Sequence, residues 1–149
     1  VALKIGELAS RTDCQVGTIR YYEQEKLLPE PMRSNANFRL YSEAHVERLR
    51  FIRHCRSLGM SLQEVRALLQ FRDRPQTDCS DVNALLDKHI QQVEIRMEEL
   101  TQLKQHLAVL RKQCVGKRPS GTCGILQVLT DRSYNQDTTV ALSDPERLR

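Results

Sequence analysis

From Ser80 to Gln113 the chain runs 34 residues without a glycine or a proline. Its apolar side chains there recur in steps of three or four: Val82, Leu86, Ile90, Val93, Met97, Leu100, Leu103, Leu107 and Leu110. That spacing predicts one continuous helix with a single apolar seam. At about 1.5 Å per residue the helix spans roughly 50 Å, more than a small domain is wide, so it cannot bury the whole seam against its own chain. No second helix of comparable length is on offer to fold back on it. The seam is therefore expected to pair with a second copy, as a homodimeric coiled coil.

The segment before it has a different texture. Ile5, Leu8 and Ala9 fit a short helix, and Val16 and Ile19 with Tyr21 and Tyr22 fit another after a break at Asp13 and Cys14. Two short helices joined by a tight turn suggest a helix-turn-helix. The run LPEPMRSNANFRLY, Leu28 to Tyr41, holds two prolines, a turn-forming cluster at Ser34 to Asn37, and an alternation of Phe38 and Leu40 with Arg39 and Tyr41. It reads as a small β-hairpin, or wing. Ser42 can cap a third helix with Val46, Leu49, Ile52 and Cys55 inside, ending near Gly59. Ser61 and Glu64 then form an S-x-x-E capping box for a fourth, with Val65, Leu68 and Leu69 buried.

The expected architecture is mainly α. A winged helix-turn-helix head occupies residues 1–75, a linker and dimerisation helix 76–113, a metal-binding loop and short helix 114–132, and a flexible polar tail 133–149. No apolar run approaches the roughly 20 residues needed to cross a bilayer, and Val1 to Leu8 carry Lys4 and Glu7 with no apolar signal core. These features predict a cytoplasmic protein without a membrane partner.

Charge separates the two halves. Residues 1–75 hold 13 basic and 9 acidic side chains, while residues 76–149 hold 10 of each. The positive half is the candidate for a polyanion. Within it, the second helix carries Thr18, Arg20, Tyr21 and Tyr22, the wing Arg33 and Arg39, and the third helix Arg53 and Arg56. A helix of this kind can enter the major groove of double-stranded DNA, with Arg donating to guanine edges or phosphates and hydroxyls binding phosphate oxygens. Grouping on consecutive elements makes these eight residues the expected DNA contacts. No His and carboxylate pair, nucleotide loop or open metal site stands out, so an enzyme is not expected.

The run KIGELASRTDC, then VGTIRYYEQEKLLPEP, then NFRLY followed by VERLRFIRHCRSLGMSLQEV, resembles the MerR family of metal-responsive transcription regulators. The likeness implies a homodimer on a pseudo-palindromic promoter, with Arg20, Tyr22, Arg33, Arg39 and Arg56 on the DNA. It also implies that the metal-free dimer holds an over-long promoter spacer unreadable by RNA polymerase, and that metal shifts the heads so the DNA bends and untwists. Two positions depart from the family pattern. Lys26 replaces a frequent Gly before the double Leu, and Ala36 a frequent Gly in the wing. Both substitutions are expected to strain a left-handed backbone position and loosen the wing.

Five cysteines, an odd number, disfavour a disulfide framework. Cys79 stands just before the long helix, where unpaired N–H groups favour a thiolate, while Cys114 and Cys123 follow its other end. With metal–sulfur bonds of about 2.5 Å and roughly 50 Å of helix between them, one chain cannot bring all three to one ion. If two long helices pair antiparallel, Cys79 of the partner chain reaches Cys114 and Cys123, and two equivalent sites form across the dimer. Three thiolates suit a soft divalent ion. Zinc would normally need a fourth ligand, which the loop VGKRPSGT does not supply.

Among the branches of the resembling family, DCSDVNALLDKHI and CGILQ look most like the cadmium and lead sensors, with the three-Cys mercury sensors as the alternative. The expected effector is thus Cd(II) or Pb(II), alternatively Hg(II), and the expected response is activation of heavy-metal resistance genes. A redox regulator using a Cys114–Cys123 disulfide and a metal-sequestering dimer are the competing readings. Cys14 and Cys55 are expected to be packing residues, and His45, His54, His89 and His106 show no ligand spacing with the cysteines.

Overall fold

A computed structural model describes residues 2–132; the expected tail, 133–149, lies outside the described residues. The order is α1 (Ile5–Thr12), α2 (Val16–Gln24), β1 (Met32–Arg33), β2 (Arg39–Leu40), α3 (Glu43–Ser57), α4 (Leu62–Arg72), α5 (Ser80–Arg111), a 3-10 turn (Ser120–Thr122) and α6 (Gly124–Thr130). The chain divides into two compact units, one ending at Val82 and one starting at Asn83, so the linker and the first residues of α5 group with the head.

In the first unit α1 stops at Asp13, which turns left-handed (φ 52°) while the Cys14 amide reaches back to the Ala9 carbonyl at 3.0 Å. That tight stop sets α2 off in a new direction, as a helix-turn-helix requires. Leu8, Ile19, Val46, Leu49, Ile52 and Val65 are fully buried and form the core. Each contributes about 1.5–3 kcal/mol of burial. Ser42 caps α3 through His45, whose Nδ1 accepts from the Ser42 amide at 3.1 Å, leaving Nε2 to donate to the Pro29 carbonyl at 3.0 Å. His45 is thereby committed to joining α3 to the start of the wing. The predicted box at α4 is present, with the Glu64 amide donating to Ser61 Oγ at 3.2 Å.

The wing is a two-stranded antiparallel hairpin with Met32 opposite Leu40 and Arg33 opposite Arg39. The expected strain at Ala36 is not there. The left-handed residue of the turn is Asn37 (φ 65°), a type that tolerates the conformation. Lys26 does occupy the left-handed region (φ 59°), as its place in the sequence suggested.

Helix α5 is a single uninterrupted element, two residues shorter than expected at its C-terminal end. Leu86, Ile90, Val93, Met97, Leu100 and Leu107 of the seam are exposed in the single chain. No helix of the described residues is long and apolar enough to cross a membrane.

Candidate DNA-reading head and thiolate pair

The recognition surface starts with α2. Arg20 and Tyr21 point outward, Thr18 is half-buried, and Tyr22 packs into the core with 7% of its surface exposed. Burial pushes the Tyr22 hydroxyl pKa up, opposed by the charge and a hydrogen bond of Arg56. Tyr22 therefore lies in the core with its hydroxyl bonded to Arg56.

The four other arginines expected on DNA each have a partner within the head. On the wing, Arg33 donates to the Asn37 carbonyl at 3.1 Å and Arg39 Nε lies 3.6 Å from Glu23. On α3, Arg53 donates to the Thr12 carbonyl at 2.8 Å and to Asp13 at 3.1 Å, while Arg56 donates to the Met60 carbonyl at 2.8 Å. Arg39 and Arg53 remain 40% and 45% exposed, which leaves their outer faces open to a phosphate. The internal bonds hold each guanidinium in one place, which lowers the entropy cost of meeting a fixed row of phosphates.

Sequence reasoning missed what holds the far end of α2. Its C-terminal carbonyls need donors, and two arginines from other helices supply them. Arg66 of α4 donates to the Glu25 carbonyl at 2.7 Å, and Arg48 of α3 donates through Nε to the Leu27 carbonyl at 2.6 Å. Arg48 also holds Asp73, the C-cap of α4, at 2.8 Å. Nothing local marks these two arginines, because their role depends on how α3 and α4 cross the end of α2.

The cysteines fall into three environments. Cys55 is buried and its thiol pKa raised by that burial; Cys14 is partly buried in the α1–α2 turn. Cys79 is exposed, and the first free amide of α5 is taken by its neighbour, since the Ser80 N–H donates to Asp78 Oδ1 at 2.6 Å. The Ser80 hydroxyl, and then that amide bond, hold the Asp78 carboxyl below its usual pKa. The helix start expected to serve Cys79 thus serves Asp78.

Cys114 and Cys123 are brought together. The loop between them doubles back through left-handed Gly116 (φ 82°) and the 3-10 turn, which places Cys123 at the N-cap of α6. There the Leu126 amide, and more weakly the Ile125 amide and the Cys114 thiol, draw the Cys123 pKa below the ordinary thiol value, although neither amide completes a cap hydrogen bond. A short helix is expected within 114–132, and α6 is that helix, opening directly at Cys123. Among the described residues no three His, Cys, Asp or Glu side chains gather into a metal-sized group.

Comparison with known proteins places this geometry. The transcription regulator PbrR691 from Ralstonia metallidurans CH34, solved in complex with lead(II), is 54% identical, with a TM-score of 0.78 over 85% of this chain and 98% of that one. The MerR regulator from Bacillus megaterium MB1, solved with mercury(II), is 29% identical with a TM-score of 0.68 over 87% of this chain and all of the other. The ZntR homolog of Haemophilus influenzae, an HTH-type transcriptional regulator, is 45% identical over 76% of this chain and 84% of its own. These relatives are transcription regulators, not enzymes. The family described as "MerR HTH family regulatory protein" matches residues 3–72, and that described as "MerR, DNA binding" matches residues 46–110. Head, wing and long helix are thus covered without a break, and the chain belongs to the MerR family of helix-turn-helix transcription regulators.

Proposed function

We propose that this protein is a metal-responsive regulator that binds promoter DNA as a homodimer and activates heavy-metal resistance genes when Cd(II) or Pb(II) is held by Cys114, Cys123 and Cys79 of the partner chain. The observation that carries the reading is the Cys114–Cys123 pair, two thiols brought together by a doubled-back loop, with Cys123 already biased toward its thiolate. Thiolates are soft donors that favour soft ions. Two are too few for a closed site, and the third cysteine outside the head core precedes the opposite end of α5. The similarity to a lead-bound regulator supports the same class of ion.

The exposed seam along α5 supports dimerisation, because apolar side chains at three- and four-residue steps are stable in water only against a partner. In an antiparallel pair a metal bridging the two chains clamps the end of one long helix to the start of the other. The clamp would bias the separation of the two heads, and with it the shape of the bound promoter, more than the affinity for it. RNA polymerase reading that promoter is the remaining partner. Such a regulator works in the cytoplasm, where promoter and polymerase are. Thr18, Arg20, Tyr21, Tyr22, Arg33, Arg39, Arg53 and Arg56 form the DNA face, with Arg20 and Tyr21 outermost.

A second reading has an observation behind it. The Cys114–Cys123 contact would also suit a disulfide, in which hydrogen peroxide removes two electrons and two protons from the thiols and leaves water. The mercury-bound relative supports Hg(II) as an alternative ion.

The test is titration of the reduced protein with Cd(II), Pb(II), Hg(II) and Zn(II), followed by ultraviolet thiolate-to-metal absorption, on wild type and on Cys79→Ser, Cys114→Ser and Cys123→Ser. All three substitutions are expected to weaken binding of the soft ions. Mixing Cys79→Ser with Cys114→Ser chains is expected to restore one site per heterodimer, because one of its two sites keeps all three thiols. No recovery on mixing would overturn the cross-subunit site, and normal metal binding by Cys79→Ser would remove Cys79 from it.

A further inference from the structure

Glu23 is the only acid within the recognition helix α2. Its side chain is 13% exposed, in a head with more bases than acids that is read as facing a polyanion. A carboxylate there loses hydration and works against phosphate attraction. Two groups from the wing converge on it. The Tyr41 hydroxyl donates to Glu23 Oε1, and Arg39 Nε lies 3.6 Å from Oε2.

Arg39 and Tyr41 bracket Leu40, the last residue of β2, so both anchors come from the returning strand of the wing. Tyr41 is fixed from its other side as well. Its main chain pairs with Leu3 through two hydrogen bonds of 2.8 Å, and its ring meets His45 edge-on at 5.2 Å. Burial and the bond to Glu23 push the Tyr41 hydroxyl pKa up, so it stays a donor throughout the physiological range. The wing is thus fastened to the recognition helix at one carboxylate, and the cation that anchors it keeps 40% of its side chain exposed.

We propose that Glu23 is a positioning residue for sequence discrimination: by holding Arg39 and Tyr41 against α2, it lets the wing's cation meet a phosphate only when the recognition helix is seated in its own groove register. On a wrong sequence, where α2 does not seat, Arg39 stays neutralised by Glu23 and adds little. On the right one, Arg39 arrives already aimed. Glu23 thereby lowers non-specific binding and preserves specific binding.

This inference rests on the reading of the head as a promoter-binding module, and the experiment separates the two. The full-length protein first selects a duplex from a random-sequence pool; affinities for that duplex and for a random duplex are then measured across a salt series. Glu23→Gln keeps an oxygen to accept the Tyr41 hydroxyl but releases Arg39. It is expected to bind the random duplex more tightly, with a log–log salt slope steeper by about one for the freed cation, and to lose about tenfold in the ratio of specific to non-specific affinity. Adding Arg39→Gln to that variant is expected to remove the extra slope. Tyr41→Phe, which keeps both charges, is expected to lower the ratio without changing the slope.

A carboxylate that merely repelled DNA would raise both affinities equally on Glu23→Gln. A ratio within about threefold of wild type in either single variant overturns the role of Glu23 and leaves the promoter-binding reading standing. If wild type selects no sequence at all, both fall.

Discussion

Gly124, the first residue of α6, backs directly onto the main chain of Gln113: a Cβ at Gly124 would lie 2.3 Å from the Gln113 carbonyl oxygen and 3.2 Å from its carbonyl carbon. No flexible side chain is available to give way, since the obstacle is backbone. Each of these residues is the direct neighbour of a cysteine, Gln113 of Cys114 and Gly124 of Cys123. The close approach is what shuts the loop and brings the two thiols together.

Gly124→Ala must therefore push the ends of the loop apart. We expect it to weaken soft-metal binding about 10- to 100-fold, the range seen when a supporting position around a metal site is lost. Promoter affinity of the metal-free protein should stay at the wild-type level, because the substitution lies outside the head. Metal titration beside a DNA-binding measurement on the same preparation checks both halves, and equal metal affinity would show that the loop closes without this contact.

Lys26 holds a left-handed conformation (φ 59°) just after the recognition helix, and its amide donates to the Glu23 carbonyl at 3.0 Å. A side chain with a Cβ is strained there by about 1–2 kcal/mol, which glycine avoids at the cost of more freedom in the unfolded chain. Lys26→Gly should raise the urea midpoint by a net of about 0.5–1 kcal/mol in stability, with the m-value unchanged. A fall in the midpoint would mean that the lysine stem makes packing contacts worth more than the strain.

How far the sequence could be read is clear from these positions. The seam of α5, the Ser61–Glu64 box and the wing were all legible, because each is encoded by neighbours in the chain. Strain at Lys26 was legible for the same reason, whereas at Ala36 the position was off by one: a turn-forming cluster shows that a turn exists, and the backbone chose Asn37 to go left-handed. The eight residues proposed to face DNA were chosen by type and element, without their internal partners. Glu23 with Arg39, Arg53 with Thr12, and Arg48 with Leu27 join residues 16 to 41 positions apart. No periodicity reports such pairs. Among the thiols, the contact between Cys114 and Cys123 depends on a loop whose closure turns on one glycine, and the lowered pKa depends on the residue at which the expected short helix starts.

Arg48 joins the end of α2, α3 and the C-cap of α4. Its side chain is 18% exposed, so its truncation leaves the Leu27 carbonyl short of a donor in a partly buried place, while the half-exposed Asp73 carboxylate loses its cation. Arg48→Ala should cost about 2–3 kcal/mol, against less than about 1 kcal/mol for removal of the exposed Arg72–Glu47 pair at 3.4 Å. Lysine at position 48 can serve only one of the two acceptors and should recover less than half of the loss. Urea unfolding of the three variants measures this directly; equal costs for Arg48→Ala and for the Arg72–Glu47 removal would show that Arg48 acts only as a surface charge.

Tyr41 and Tyr22 give the head an alkaline limit. Burial is the main cause raising both hydroxyls, with the Glu23 bond adding to Tyr41 and Arg56 opposing at Tyr22. A pKa raised in the folded state contributes stability that is fully present below the unfolded value, about 10 for tyrosine, and is lost as the pH rises through the folded value. Stability should therefore be flat in this respect at neutral pH and fall above about pH 10, where the unfolded chain loses these protons first. Tyr41→Phe removes the larger contribution, so its unfolding free energy should start lower at neutral pH and decline less steeply in alkali. The near-ultraviolet absorbance of tyrosinate, followed on the folded protein and on Tyr41→Phe, should place the Tyr41 transition above the ordinary tyrosine range. If Tyr41 titrated within the ordinary tyrosine range, its hydroxyl would not be held by Glu23 in solution, and the fastening of the wing to the recognition helix would have to come from Arg39 alone.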